Sequence, residues 1–146
     1  MKRHLNIRKS AISVETLLRR VSKGILTFLP EDMVDDQELA TKVVSLILAG
    51  IELPVSLALE DENGKYKVVC RGKAIYALSR YVKGAFAIGE TSLVSGVSNT
   101  LFDDLPNKAE NILFEKHIVF SVCLETDSTE EQVQSLVDDF ISIGTL

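Results

Sequence analysis

A short hairpin that runs directly into a helix is the feature that most limits the folds open to this chain. Apolar and polar or small residues alternate over residues 55–59, the period of a β-strand with one buried face. Asn63-Gly64 predicts a two-residue turn, because both residues tolerate a positive φ. Residues 66–70 are the return strand, and residues 74–84 carry apolar side chains at helical spacing. Strands and a helix within so short a segment favour an α+β fold.

Helix-start signals predict three more amphipathic helices. Ser13 caps the first helix. Asp35 with Glu38 is a capping box for the second helix, and Ser128 with Glu131 is a capping box for the last. All three starts are followed by apolar side chains at helical spacing, so each helix has one face to bury.

The rest of the chain adds short strands and one short helix. An apolar run covers residues 25–29, and short strands are predicted at 85–88, 92–94 and 117–124, with Asn107 capping a helix that ends near residue 114. The sequence thus predicts an α+β domain with a small mixed sheet and about five surrounding helices.

Length and hydropathy indicate one soluble domain. The chain has 146 residues, of which 46% are hydrophobic and 25% charged, the usual mix of a globular protein. Its apolar runs are far shorter than the ~20 residues of a membrane span, and no long apolar signal core follows the N-terminus. We expect a single domain over residues 1–146, located in the cytoplasm and without a membrane partner.

Basic side chains are concentrated at the N-terminus. Residues 1–24 contain seven basic side chains and one acidic side chain, whereas the rest contains nine basic and twenty acidic, a net charge of −11. Residues 1–12 are predicted to be a basic arm that contacts nucleic acid or an acidic protein. The candidate nucleic-acid contacts are Arg3, Arg8, Lys9, Arg19, Arg20 and Lys23. More often, basic side chains clustered in this way form a helix face that is exposed to solvent and binds no nucleic acid.

The metal-ligand and redox residue types are few and scattered. Cys70 and Cys123 lie in separate apolar strands, so neither belongs to a CxxC pair, and a buried small hydrophobe is the simplest role for a cysteine. His4 and His117 are far apart in sequence and have no ligand pattern around them. We expect neither a metal site nor a cofactor.

Arg71-Gly72-Lys73 is the candidate anion site. It joins a strand to a helix, where a glycine turn and free backbone N–H groups can receive a phosphate. A bare Gly-Lys without the full phosphate-loop spacing is a weak motif. The alternative is a solvated turn with two surface cations.

The order of these segments resembles the ParB/sulfiredoxin-like N-terminal domain of GmrSD-type restriction proteins. The resemblance rests on "LPVSLALE", "ENGKYKVV", "IYALSRYVKG" and "LFDDLP", and on the tail "HIVFSVCLETDSTEEQVQSLVDDFISIGTL". It covers about residues 13–146 and implies a ParB-like fold. The domain of that family continues past the final Gly-Thr-Leu, so this chain is either a minimal version or part of a longer protein.

The most specific motif of that family, Asp-Gly-Gln-Gln-Arg, is missing. Its five positions fall on Cys70, Arg71, Gly72, Lys73 and Ala74, and none matches. In the loop after the first proline the family has Gln-Arg, where this chain has Glu31-Asp32. The resemblance therefore implies a degenerate site for nucleotide hydrolysis.

Three functional hypotheses follow. The first is a non-catalytic ParB-like domain that acts as a binding or regulatory accessory protein of a phage, mobile-element or restriction system, with a protein partner or self-association. The second is a nucleotide-binding or nucleotide-hydrolysing domain, in which Arg71 and Lys73 clamp phosphates and Asp32, Asp35 or Asp36 holds a metal. The third is a homodimerisation module whose exposed strand at residues 119–124, or last helix, makes the interface.

Overall fold

The computed structural model describes residues 6–125 and 129–144, and the statements below concern those residues. They form five strands, five α-helices and two single 3₁₀ turns. In chain order the elements are β1 (Ile7–Ser13), α1 (Val14–Ser22), β2 (Leu26–Phe28), a turn at Pro30–Asp32, α2 (Gln37–Leu48), β3 (Ser56–Glu60), β4 (Tyr66–Cys70), α3 (Gly72–Val82), a turn at Phe102–Asp104, α4 (Asn107–Glu115), β5 (His117–Leu124) and α5 (Glu130–Gly144).

All five strands lie in one mixed sheet, in the order β1-β5-β3-β4-β2. The pairs β1–β5 and β3–β4 are antiparallel, whereas β3–β5 and β2–β4 are parallel. An α+β fold with a mixed sheet and five helices is what the sequence predicted. The predicted interface strand, β5, has both edges paired, with β1 and β3, so it offers no free strand edge, although the Val119 side chain is only partly buried.

The main core lies between one face of the sheet and helices α1 to α4. Phe120 and Val122 of β5 are buried there together with Leu17 of α1 and Leu78 of α3. Helix α5 covers part of the opposite face, where the Cys70 thiol lies 4.0 Å from a backbone oxygen of α5. Strand β3 is buried on both faces, which corrects the half-buried strand predicted from its alternation. Its central position in the sheet is the reason.

The hairpin is present, but its loop is longer than predicted. Residues 61–65 separate β3 from β4, and of Asn63 and Gly64 only Gly64 has a positive φ, at 75°. The Asp61 carboxylate accepts hydrogen bonds from the backbone N–H groups of Asn63 and Lys65, at 2.8 and 3.0 Å. An aspartate that binds the backbone in this way organises a wider loop, so the two-residue turn was wrong.

The predicted strands at residues 85–88 and 92–94 are absent, and this segment is a loop. Hydroxyl side chains hold it against α2. The Gly89 N–H donates to Thr41 Oγ1 at 2.9 Å, and Ser45 Oγ donates to Thr91 Oγ1 at 2.8 Å. The backbone also bonds to a later part of the loop, from the Ile88 N–H to the Thr100 carbonyl at 3.0 Å and from the Asn99 N–H to the Gly89 carbonyl at 3.2 Å, so it is anchored without joining the sheet.

The N-terminal caps of α1 and α2 are formed by Ser13 and Asp36. Ser13 caps α1 as predicted, since its hydroxyl accepts from the Thr16 N–H at 3.1 Å. Helix α2 is capped by Asp36, whose Oδ1 accepts from the Leu39 N–H at 2.9 Å, so the assignment of the cap to Asp35 was wrong by one residue.

The last two helix starts are also shifted. The capping box of α5 pairs Thr129 with Gln132, each side chain bonding the backbone N–H of the other, at 3.0 and 3.2 Å. Ser128 lies outside the described residues. Asn107 is the first residue of α4 rather than its cap, which is Pro106.

Half of the predicted N-terminal arm is part of the sheet. Residues 7–13 form β1 and pair with β5 along their whole length, and the Ile12 side chain is buried. The backbone bonds to β5 hold this segment in place, so it is an edge strand rather than a free arm. Residues 1–5 lie outside the described part of the chain. No helix in that part has the length and apolar character to span a membrane.

Candidate functional site

The junction between β4 and α3 contains the predicted anion site. Strand β4 ends at Cys70 and α3 begins at Gly72, so Gly72 and Lys73 belong to the first helical turn rather than to a turn before it. Arg71 is the N-cap residue, with φ 57° and ψ 30°, and no side chain caps the helix. This left-handed conformation is uncommon for a residue with a side chain.

Gly72 is surrounded by other parts of the protein. A Cβ at this position would lie 3.0 Å from Asp32 Oδ2, 3.2 Å from Val68 Cγ1 and 3.4 Å from Phe28 Cδ1. The space beside the start of α3 is thus filled by a carboxylate and an aromatic ring of the chain itself. A phosphate approaching this residue would meet the Asp32 carboxylate, which repels it.

The Arg71 side chain binds the protein instead of facing an open anion site. Its Nη1 donates to the Val55 carbonyl at 2.7 Å, and its guanidinium lies 5.1 Å from the centre of the Phe140 ring in α5. The Arg71 carbonyl accepts from Ser56 Oγ at 3.4 Å. Arg71 therefore links the junction to the start of β3 and to α5.

The acidic loop before α2 is paired with cations of α3. Arg80 donates from Nε and Nη2 to the two carboxylate oxygens of Asp35, at 2.8 and 3.2 Å. Lys73 Nζ lies 3.8 Å from Asp36 Oδ2. The hydrogen bonds from Arg80 lower the pKa of Asp35. The two aspartates that were candidates for holding a metal are thus engaged with basic side chains of the protein.

Asp32 differs from these two aspartates, because burial is the main influence on it. Desolvation raises its pKa, the nearby Glu31 carboxylate adds to that rise, and Lys73 opposes it. Burial also raises the pKa of the neighbouring Cys70 thiol. The junction therefore contains Lys73 and, near it, the partly buried carboxyl group of Asp32. Within the described residues, no three His, Cys, Asp or Glu side chains are grouped so that they could hold a metal.

Two of the candidate nucleic-acid contacts, Arg8 and Arg20, lie beside the same residue, Tyr66. Arg8 donates to Glu60 Oε1 at 2.6 Å and to the Tyr66 hydroxyl at 3.3 Å, so this arginine binds the neighbouring sheet residues. The Arg8 hydrogen bond lowers the pKa of Glu60 and raises that of Arg8.

The other candidate contacts within the described residues lie on α1, on β1 or just after α1. Arg20 lies 5.6 Å from the centre of the Tyr66 ring, and Arg19 is 3.7 Å from Glu15. Lys9 and Lys23 are exposed, on β1 and after α1 respectively. Arg3 lies outside the described residues.

A groove between α2 and α3 was not predicted from the sequence. Its volume is about 420 Å³, and its walls are almost entirely apolar. Its lining residues are Leu39, Lys42, Val43, Leu46, Leu53, Pro54, Ser56, Arg71, Lys73, Ala74 and Ile75. Sequence analysis assigned such apolar side chains of α2 to its buried face, because a groove wall and a core face have the same helical spacing.

Comparisons with known proteins returned no relative. No family model, no curated protein and no solved structure matches this chain. The resemblance to the ParB-like domain of GmrSD-type proteins thus stays a prediction from the sequence pattern.

Proposed function

We propose that this chain is a non-catalytic ParB-like binding domain, which acts as an accessory or regulatory protein by contacting another protein. The neutralised strand-to-helix junction is the observation that supports this function. Arg71 binds Val55 and Phe140, Lys73 faces Asp36, and Asp32 fills the space beside Gly72. Of the residues that replace the hydrolysis motif, Arg71 links the junction to β3 and α5, and Lys73 is paired with Asp36.

Phosphoryl transfer needs a different arrangement. It requires cations free to offset the charge on the transferred group, a carboxylate free to hold a metal and a positioned water. Here Asp35 and Asp36 are paired with Arg80 and Lys73. A nucleotide would meet the Asp32 carboxylate beside Gly72 and would find Arg71 engaged with Val55 and Phe140, so this site favours a binding role over hydrolysis.

The biological setting proposed here comes from the family resemblance. GmrSD-type proteins are restriction proteins, and a domain of that type without its hydrolysis motif fits an accessory protein of a restriction, phage or mobile-element system. In such a role, the domain binds a partner protein and does not hydrolyse nucleotides.

Calorimetric titration with each nucleoside triphosphate and Mg²⁺ tests the proposed function. We expect no saturable heat at nucleotide concentrations of about 1 mM, where even a binding free energy near −4 kcal/mol would be detected. Lys73→Ala tests the junction, and Lys108→Ala, an exposed lysine of α4, is the matched control. Saturable binding that Lys73→Ala abolishes and Lys108→Ala preserves would replace this proposal with a nucleotide site.

A further inference from the structure

The groove between α2 and α3 carries an inference that rests on the proposed function and specifies the partner. We propose that this groove binds an acidic amphipathic peptide segment of a partner protein. The apolar side chains of the segment lie on the groove walls, and its carboxylates face two lysines at the groove, Lys42 and Lys73.

The walls of the groove suit apolar side chains. Leu39, Val43 and Leu46 form a stripe along α2, and Leu53 and Ala74 face them from other elements. Leu39, Leu46, Leu53 and Ala74 are only partly buried, so part of their apolar surface contacts water. Covering such surface contributes about 25 cal/mol per Å². A volume of about 420 Å³ is within the usual range of binding pockets.

The charged side chains at the rim of the groove, Lys42, Arg71 and Lys73, are all cations although the whole chain is acidic. The formal net charge is −5, yet every charged side chain that lines the groove is a cation. Most of the chain repels an acidic peptide, and this rim attracts it. Such complementarity selects the partner and its position more than it adds affinity.

Two of the rim cations are free to change partners at low cost. Lys42 Nζ is 3.6 Å from Glu38, and Lys73 Nζ is 3.8 Å from Asp36, with the lysine side chains 69% and 48% exposed. Exposed ion pairs of this kind contribute little to stability. A carboxylate of the partner therefore replaces Glu38 or Asp36 with little loss.

The placement of the cations favours a peptide over a small anion. Lys42 lies on α2, Arg71 precedes α3, and Lys73 lies in α3, so the charges are distributed around an apolar floor. A single phosphate would face mostly apolar walls. A peptide helix presents apolar side chains at i, i+3 or i+4 and i+7 and carries carboxylates beside them, which fits a groove of this composition.

Two synthetic peptides test the inference by fluorescence anisotropy. Both have about 14 residues, four turns of helix, and the same leucine spacing. One has glutamate at its polar positions, and the other has lysine. We expect the intact protein to bind the glutamate peptide at least about tenfold more tightly than the lysine peptide, a difference of about 1.4 kcal/mol. Binding of the glutamate peptide should also weaken as salt is added.

Charge reversal at the rim supplies the decisive comparison. The Lys42→Glu/Lys73→Glu variant is expected to lose the preference for the glutamate peptide, whereas Lys108→Glu on α4 keeps it. Circular dichroism checks that both variants are folded. In the intact protein, methyl NMR signals of Val43, Leu46 and Leu53 should shift on addition of the glutamate peptide.

The outcomes separate this inference from the proposed function. The inference is wrong if neither peptide binds, if the lysine peptide binds as well as the glutamate peptide, or if the rim variant keeps the preference. In those cases the proposed function stands as long as nucleotides give no saturable heat. Saturable nucleotide binding that depends on Lys73 would instead remove the proposed function.

Discussion

Three neighbouring aspartates show how much a single position changes the role of a carboxylate. Asp36 caps α2 through the Leu39 N–H, and Asp35 pairs with Arg80. Asp32 lies beside Gly72, where burial raises its pKa. The three residues have the same side chain and lie in one short loop. Their different roles come from which neighbour each oxygen reaches.

Replacing the cap of α2 is expected to cost more stability than replacing its neighbour. Asp36→Ala removes the bond to the Leu39 N–H and should lower the free energy of unfolding by about 1 kcal/mol, the usual cost of a lost N-cap. Asp35→Ala is the matched control, because it removes only an exposed ion pair and should cost less. Urea unfolding of both variants measures the difference. A larger loss for Asp35→Ala would contradict this assignment of the cap.

Between residues 130 and 142, helix α5 has no fully buried side chain. Even its inward side chains, such as Val133, Val137 and Phe140, are only partly buried. The Arg71 guanidinium over the Phe140 ring is one of its links to the rest of the domain. Elements with few buried contacts open locally at a lower free energy than the core, so α5 should open before the sheet unfolds.

Truncation of Phe140 should expose the thiol beneath α5. Cys70 is 4% exposed and lies 4.0 Å from the Val137 carbonyl. In a Cys123→Ala background, Phe140→Ala is expected to raise the rate at which a disulfide reagent labels Cys70 by about tenfold, the equivalent of 1.4 kcal/mol. Circular dichroism should show little change in overall helix and strand content.

Ile141→Ala is the control for that measurement. This side chain is 51% exposed, so its removal should leave the labelling rate of Cys70 unchanged. Equal labelling rates in the Phe140→Ala variant and its parent would show that this ring does not hold α5 on the sheet.

At the scale of the whole molecule, ion pairs connect parts of the chain that are distant in sequence. Arg8 of β1 reaches Glu60 of β3 across the intervening strand β5, and Arg80 of α3 reaches the loop that contains Asp35. Hydrogen bonds from these arginines lower the pKa of Glu60 and of Asp35. Both pairs therefore make the stability of the fold depend on pH.

Acid should remove the contribution of the Arg8–Glu60 pair. Because the pKa of Glu60 is lower in the folded state, the stabilisation is fully present above the unfolded value of about 4.3 and is lost as the pH falls through the folded value. We expect urea unfolding to show lower stability near pH 3 than near pH 7. Glu60→Gln should make that decline shallower, whereas Glu62→Gln, in the exposed hairpin loop, should not. An unchanged decline in Glu60→Gln would exclude a role for this pair.

Elements with strong local signals could be predicted closely. The return strand at residues 66–70 and the cap at Ser13 agree with the structure, as does the α+β class. The predicted strands near residue 90 failed because the backbone there bonds to residues 99 and 100 and to Thr41 of α2 rather than to a strand of the sheet. Helix and strand propensities depend only on the local segment, so they cannot predict a hydrogen bond to a residue some 45 positions away in the chain.

The candidate site could be located from the sequence but not interpreted from it. Arg71, Gly72 and Lys73 do lie where a strand meets a helix, as predicted. Their partners Phe140, Asp32 and Asp36 come from other parts of the chain. The groove beside them escaped prediction because its apolar walls are made by three separate segments.

The sequence by itself determined the local features of this protein, and the tertiary structure decided what they do. The helices and the strands at residues 66–70 and 117–124 depend on residues close together in the chain, so their signals could be recognised directly, to within about two residues at the helix ends. The burial of β3 on both faces, the neutralised junction and the apolar groove with cations at its rim depend on which distant segments pack together. That packing is set by the collective burial of apolar surface, which no short stretch of sequence specifies alone.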